Sequence, residues 1–160
     1  MSGFQIRTYC YGVGLMTSDS ELCSISQTLD IVGDRWTLLI LRDIFRGSHR
    51  FSEIQSGLGV ARNLLTERLG RLVDADVLVK VSYQDRPPRY EYRLTEKGAS
   101  LSPALIALMH WGDRWFNSEN PPTTLVHDAC GTPLEQHLLC PCCDVDVLPS
   151  SIRSRKEEYS

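Results

Sequence analysis

Two arginines bracket a double proline in the stretch RPPRYEYRLTEKG, residues 86–98, and an aromatic–polar alternation follows them. A guanidinium is always charged and presents five donors in a planar fork, a match for phosphate oxygens and for the O6/N7 edge of guanine. Upstream, Arg62, Asn63 and Thr66 open a run of helical periodicity. Arg62 can grip guanine in a bidentate pair, Asn63 can do the same for adenine N6/N7, and Thr66 can meet a phosphate or a thymine methyl. A second chemical set lies near the C-terminal end, in HDACGTPLEQHLLCPCCD. There His127-x2-Cys130 and Cys140-x2-Cys143 are separated by nine residues. One imidazole and three thiolates suit tetrahedral Zn²⁺. A third feature is a single thiol, Cys23, placed just ahead of a helical pattern.

Composition decides where such chemistry can operate. With 160 residues, 42% of them hydrophobic, the chain reads as one globular domain with modest extensions. A domain of this size can bury a core without disulfide staples. No apolar run approaches the roughly 18 residues that a membrane span requires. The opening MSGFQIRTYCYGVGLMTSDS lacks a charged start followed by an apolar block, so it is not read as a signal peptide. A cytoplasmic location with no membrane partner is the expectation, and there six cysteines are better metal ligands or redox thiols than a disulfide framework. The formal net charge is −3, yet between Arg46 and Arg93 nine Lys/Arg face six acids, a local balance of +3. A basic middle between acidic flanks is how a localised polyanion site looks.

The elements that must position these groups follow from periodicity. Leu22, Ile25, Leu29 and Val32 recur at helical spacing, and Gly33 is the stop. Asp34 then caps a second helix from Arg35 to Arg46, apolar nearly all round and therefore central. Ser52 to Gly57 reads as a short helix capped by Ser52, GLGV as a tight turn, and Ala61 to Ala75 as a longer helix. Leu65, Leu69 and Leu72 form the inward stripe of that longer helix. Two helices joined by a glycine turn make a helix-turn-helix candidate, whose second helix would show Arg62, Asn63, Thr66, Glu67 and Gly70 to a major groove. Glycine at mid-helix costs about 1 kcal/mol relative to alanine, which leads us to expect close approach of a neighbour at Gly70. Arg68, beside the apolar stripe, is a phosphate contact or an internal ion pair. Arg71, Arg50 and His49 are further phosphate candidates.

Val77 to Tyr83 and Tyr90 to Leu94 read as strands around a QDRPPR loop that the prolines stiffen, with Arg86 and Arg89 on its flanks. Helix, helix, hairpin in that order is a winged helix, so the expected class is mainly α (α+β) with a two-stranded wing. Thr95 should cap a last long helix reaching about Asn117, with Leu101, Leu105, Leu108, Met109, Trp111, Trp115 and Phe116 on more than one face. Such surplus apolar surface points to a second copy of the chain, with the first helix as companion in a homodimer interface. The expected organisation is an arm over 1–20, a DNA-binding domain over 21–117 and a small ribbon-like appendix over 121–160. Its strands would be TTLVH, EQHLLC and DVDVL.

Taken in order, LDIVGDRWTLLILRDIFRG, RFSEIQ, LLTERLGRLVDADVL and RPPRYEYRLTEKG resemble the HxlR family of bacterial winged-helix transcription regulators. The resemblance runs from about Cys23 to Trp115, and DRPPRYEYRLTEKG is its most specific part. It implies a homodimer built from the first and last helices, bound to a pseudo-palindromic double-stranded operator; the leading reading of function is a regulator that represses. The recognition helix opens VARNLL, where many members carry a serine and a proline or lysine, so no base preference carries over. The resemblance also places Cys23 where some members hold a thiol that senses quinones, hypochlorite or aldehydes. Helix N-terminal N–H groups stabilise a thiolate there. The competing reading is a small apolar residue packed in the dimer interface, and Glu21 opposes a thiolate nearby.

The tail resembles the ribbon-like extension of some HxlR-like chains. Cys142 is an alternative ligand, and Asp144 stands where a ribbon knuckle usually has glycine. The competing reading is a metal-free hairpin. A thiol oxidoreductase would need a Cys-x-x-Cys at a helix start, and nothing around Cys140 reads as helical. A winged helix that binds only protein would have no use for Arg62, Arg86 and Arg89 together. The effector, whether small molecule or oxidant, is not written in the sequence.

Overall fold

Ile40, Leu41 and Ile44 are fully buried on one helix, and Ile54, Leu65, Leu69, Leu72 and Leu78 close around them. In the computed structural model, residues 23–154 are described. The arm over 1–20, with Cys10, and the residues Glu21 and Leu22 lie outside the described residues. The chain divides into two compact units, one ending at Ser100 and the other beginning at Leu101.

In the first unit α1 spans Ser24–Val32. It stops at Gly33, whose N–H donates to Leu29 O at 2.7 Å; a Cβ at Gly33 would sit 2.4 Å from that oxygen, so only glycine fits. Helix α2, Arg35–Phe45, is capped by Asp34, which accepts from the N–H groups of Trp36 (3.0 Å) and Thr37 (3.1 Å). As expected, it is the central helix. Helix α3 is Phe51–Leu58, beginning earlier than the sequence suggested. Ser52 is not its cap: the N-cap is Arg50, and Glu53 supplies the acceptor, taking N–H bonds from Arg50 (3.0 Å) and His49 (3.1 Å). Gly59, left-handed at φ +62°, ends α3 and turns the chain into α4, Arg62–Asp74. Leu65, Leu69 and Leu72 are the buried face of α4.

Strands β1, Leu78–Asp85, and β2, Pro88–Leu94, pair antiparallel from Leu78↔Leu94 to Asp85↔Pro88, with an irregularity between Ser82 and Gln84. The hairpin is longer and its turn tighter than expected. Pairing consumes most of QDRPPR, leaving Arg86 and Pro87, joined by a cis peptide, at the tip and Arg89 within β2. The expected last helix is two helices, α5 (Glu96–Ala99) and α6 (Ser102–Phe116). Thr95 Oγ1 caps α5 by accepting from Gly98 N–H at 3.0 Å. Pro103, in the first turn of α6, explains the break. It brings no N–H to continue the preceding helix, and its ring crowds the carbonyl of the residue four before it.

In the second unit, α6 contains no buried residue. The tail beyond it is thinner in strands than expected. A single bridge joins Val126 to Pro133, β3 is Leu139–Cys140, β4 is Val145–Asp146, and a 3₁₀ turn follows at Pro149–Ser151. Among the described residues no helix is long and apolar enough to cross a membrane.

Candidate nucleic-acid interface

The wing is latched to the helix pair through backbone and side chains. Tyr92 N–H donates to His49 O at 2.8 Å, and Arg50 and Glu91 face each other as an isolated bridge. Glu91 accepts from Arg93 at 2.9 Å and from Arg50 Nε at 3.3 Å. The Arg93 hydrogen bond, then that of Arg50, holds the Glu91 carboxyl below the usual glutamate range despite partial burial. Arg50 also lies 4.7 Å from the Tyr83 ring centroid. His49 Nδ1 is buried and has no hydrogen-bond partner among the described residues.

A second latch fixes α4 against α2. Arg68 Nε donates to Asp34 Oδ1 at 3.2 Å, and its Nη1 pairs with Glu67 at 2.7 Å. Burial raises the Asp34 pKa, but hydrogen bonds from the Thr37 side chain and backbone, the Arg68 charge and the Trp36 N–H outweigh it and hold the group low. Of the two roles open to Arg68 in the sequence, the structure places it in the ion pair. Arg71 reaches back to Asp30 O at 3.1 Å, tying α4 to α1.

What remains outward is a basic cleft between α3, α4 and the hairpin. A concave space of about 340 Å³ is lined by Arg50, Phe51, Ser52, Arg62, Lys80, Tyr83, Pro88, Arg89, Tyr90 and Tyr92. Arg62 stands at the first turn of α4, 5.4 Å from the Phe51 centroid. Lys80 Nζ is 4.1 Å from the Tyr90 centroid. Aromatic faces thus steer the cations of the cleft while leaving their donors available. Asn63, Thr66, Glu67 and Gly70 lie exposed along the same helix. Thr66 Oγ1 donates to Arg62 O at 2.9 Å. Close approach at Gly70 is not found: a Cβ there would meet nothing within 4 Å. Arg86 is exposed at the hairpin tip and Arg89 is exposed on β2. Sequence reasoning missed Lys80, Phe51 and Tyr83 as cleft residues. The signal for Lys80 was its place on β1 opposite Tyr92, whereas Tyr83 depends on a strand irregularity that no periodicity announces.

Outside the cleft, Cys23 is exposed at the N-cap position of α1, where its carbonyl accepts from Gln27 N–H at 3.0 Å. In the second unit, His127 Nδ1 lies 3.2 Å from Cys130 Sγ. The Cys130 thiol is held below the usual range because the Thr132 hydroxyl and N–H can donate to its thiolate. Cys140 is also lowered, by the backbone N–H groups of Cys143 and Cys142 and the Cys143 side chain. Among the described residues no three His, Cys, Asp or Glu side chains form a group ready to hold a metal ion.

Comparison with known proteins matches this geometry to a family. The model of the HxlR-like helix-turn-helix family fits residues 31–120. An HTH-type transcriptional regulator of Mycobacterium tuberculosis is 40% identical over 130 residues, covering 81% of this chain and 82% of the relative. Another, YdeP of Bacillus subtilis, is 31% identical over 111 residues, covering 69% and 87%. Among solved structures, PA1607, a candidate transcription factor, superposes with a TM-score of 0.78 at 34% identity, over 88% of this chain and all of its own. The redox regulator HypR, in its oxidised form, gives 0.54 at 29% identity over 57% of this chain and 96% of its own. With its helix pair, wing and basic cleft, the chain belongs to the HxlR-like helix-turn-helix family of transcription regulators.

Proposed function

We propose that this chain is a homodimeric, sequence-specific repressor that docks α4 in the major groove of a double-stranded operator and lays its wing on the adjoining backbone. The observation that carries the reading is the cleft, in which Arg62 from the recognition helix and Lys80 and Arg89 from the wing line one space. Cations from separate elements on one surface are what two successive phosphates or a groove edge require. Arg62 and Asn63 read bases; Arg86, Arg89 and Lys80 neutralise phosphates. Arg50, Arg68 and Arg71 hold the elements in place, and Arg50 reaches phosphate only by loosening its hold on Glu91. Selection of bound duplexes from a random pool tests the proposal. A motif with two half-sites about one helical turn apart is expected. A monomer indifferent to every duplex at low salt would sink it.

The dimer part rests on exposed apolar side chains: Ile25 and Leu29 on α1, and Leu108, Trp111, Trp115 and Phe116 on α6. Trp115 is 65% and Phe116 72% exposed, too much for large aromatics of a chain that stays single. An oxidant or small molecule would act by shifting these helices and so the spacing of the two recognition helices. Cys23 is the candidate oxidisable switch, supported by its exposure at a helix start and by the likeness to a redox regulator. In this reading the described part of the tail, residues 121–154, forms a ribbon-like accessory, and the protein works in the cytoplasm. The rest of the expected 121–160 span lies outside the described residues.

A further inference from the structure

The tail builds the same backbone turn twice. In the first, Gly131 N–H donates to His127 O at 2.8 Å, and Gly131 is left-handed at φ +70°. In the second, Asp144 N–H donates to Cys140 O at 2.9 Å, and Asp144 is left-handed at φ +53°. Each turn therefore runs donor, two residues, donor, then a left-handed residue. The second does so although a non-glycine pays for that conformation, which aspartate tolerates better than most. In the first the donor side chains have already converged, with His127 Nδ1 3.2 Å from Cys130 Sγ. Nothing apolar accounts for this order, since no described residue from 117 to 154 is buried.

We propose that His127, Cys130, Cys140 and Cys143 bind one tetrahedral Zn²⁺ per chain, each turn contributing half of the ligand set. The two pairs do not stand as a finished cage among the described residues. They are joined by nine residues, which reach about 30 Å when extended and so leave slack for the hairpins to fold face to face around one ion. A set of one imidazole and three thiolates selects zinc over the hard cations Ca²⁺ and Mg²⁺, which take oxygen. Binding replaces three S–H protons by metal–sulfur bonds, releases those protons to solvent and moves no electrons. Cys142 is left out of the set because Cys143, like Cys130, stands three residues after the first donor and directly before the left-handed residue. A small module without a core gains its fold from such a bond set, and zinc would supply the tail's missing interior.

The test uses the full chain and the metal alone, and does not depend on the DNA reading. Titration with Co²⁺ is expected to give tetrahedral d–d bands and sulfur-to-cobalt charge transfer that saturate at one equivalent and disappear when Zn²⁺ displaces the cobalt. Cys130→Ser, Cys140→Ser and Cys143→Ser should each weaken zinc at least about tenfold, while Cys142→Ser stays within about twofold. His127→Cys keeps the metal and raises the charge-transfer intensity by about a third, as a fourth thiolate replaces the imidazole. Binding below about half an equivalent, octahedral cobalt spectra, or a Cys142→Ser loss as large as that of Cys143→Ser would each overturn the assignment.

Discussion

The wing and the tail are both antiparallel hairpins, yet different forces hold them. The β1–β2 hairpin roots in the core through Leu78 and Val77, both buried, and is pinned by Tyr92 to His49 and by Thr95 Oγ1 to Asp76 O at 2.7 Å. The tail's strands are two residues each, and Leu138, Leu139, Val145 and Leu148 are exposed. The lesson is a division of labour. Apolar burial fixes the first hairpin, which frees its polar side chains to face a ligand. In the second, the polar side chains must themselves supply the order.

The largest test of that contrast is truncation of one leucine in each region. Leu65→Ala should destabilise the first unit by about 2–5 kcal/mol in urea unfolding, the range for emptying a packed core site. Leu139→Ala should change stability by less than about 0.5 kcal/mol, as exposed substitutions do. Equal losses would erase the distinction.

Next in size is the Arg86→Ala/Arg89→Ala pair, which should weaken binding to all duplexes by about tenfold or more and flatten the dependence on salt. Arg62→Ala or Asn63→Ala should instead relax choice at one base by about 1–3 kcal/mol. Unchanged affinity in the arginine pair would remove the wing from the interface, and the pair should leave metal binding by the tail untouched.

Glu91→Gln gives a smaller effect with a diagnostic sign. Removing an acid beside a basic cleft should, on charge alone, tighten DNA binding. If Glu91 instead positions the wing by holding Arg93 and Arg50, affinity falls about threefold to tenfold, as expected when a charge-assisted bond is weakened. Glu91→Asp should recover part of it. Tighter binding by Glu91→Gln in an anisotropy titration would show that the latch does not matter.

How far the sequence revealed these regions depends on what specifies each. The helix pair was legible because Leu65, Leu69 and Leu72 repeat at helical spacing and Asp34 and Gly59 carry stop and start chemistry that acts locally. The hairpin tip was misjudged since proline suggested a loop, while the pairing of Gln84 with Arg89 is a cross-strand fact. The last helix broke where Pro103 forbids continuity, a rule its apolar pattern had obscured. In the cleft, Arg62, Arg86 and Arg89 stood out by type, but Lys80, Phe51 and Tyr83 join them only through tertiary placement. The equivalence of the two tail turns was half legible: the donor spacing could be read, the left-handed Asp144 could not.

Gly70 sharpens the comparison from the DNA side. With open space around its Cβ position, Gly70→Ala should stabilise the free protein by up to about 1 kcal/mol through helix propensity alone. If the bare backbone at Gly70 exists for an approaching phosphate, the same variant loses DNA affinity while gaining thermal stability. Gains in both would assign the glycine no role in contact.

The smallest effect separates the two hairpins by pH. His137 is raised above the ordinary histidine value of about 6.5, first by its hydrogen bond with Glu135 and then by the charge of and bond to Asp146. Its ring nitrogens lie 3.1 Å from Glu135 and 3.0 Å from Asp146, so both carboxylates are served only when the imidazole carries two protons. A raised folded value means that this contribution is complete below about pH 6.5 and is lost as pH climbs through the folded pKa. Asp34 and Glu91 behave in the opposite sense, because their folded values are depressed. Their contributions are complete above the ordinary carboxylate range of about 4 and are lost as pH falls through the folded values. Amide exchange should therefore show the tail loosening toward alkaline pH while the wing junction loosens only in acid. His137→Gln should abolish the loosening as pH rises through the histidine range and leave the wing's acid response in place. What remains in the tail is the opposite, alkaline-side gain from the lowered Cys130 and Cys140 thiols. Parallel pH profiles in the two regions would mean that one global unfolding governs both, and that the polar contacts of the tail contribute no order of their own.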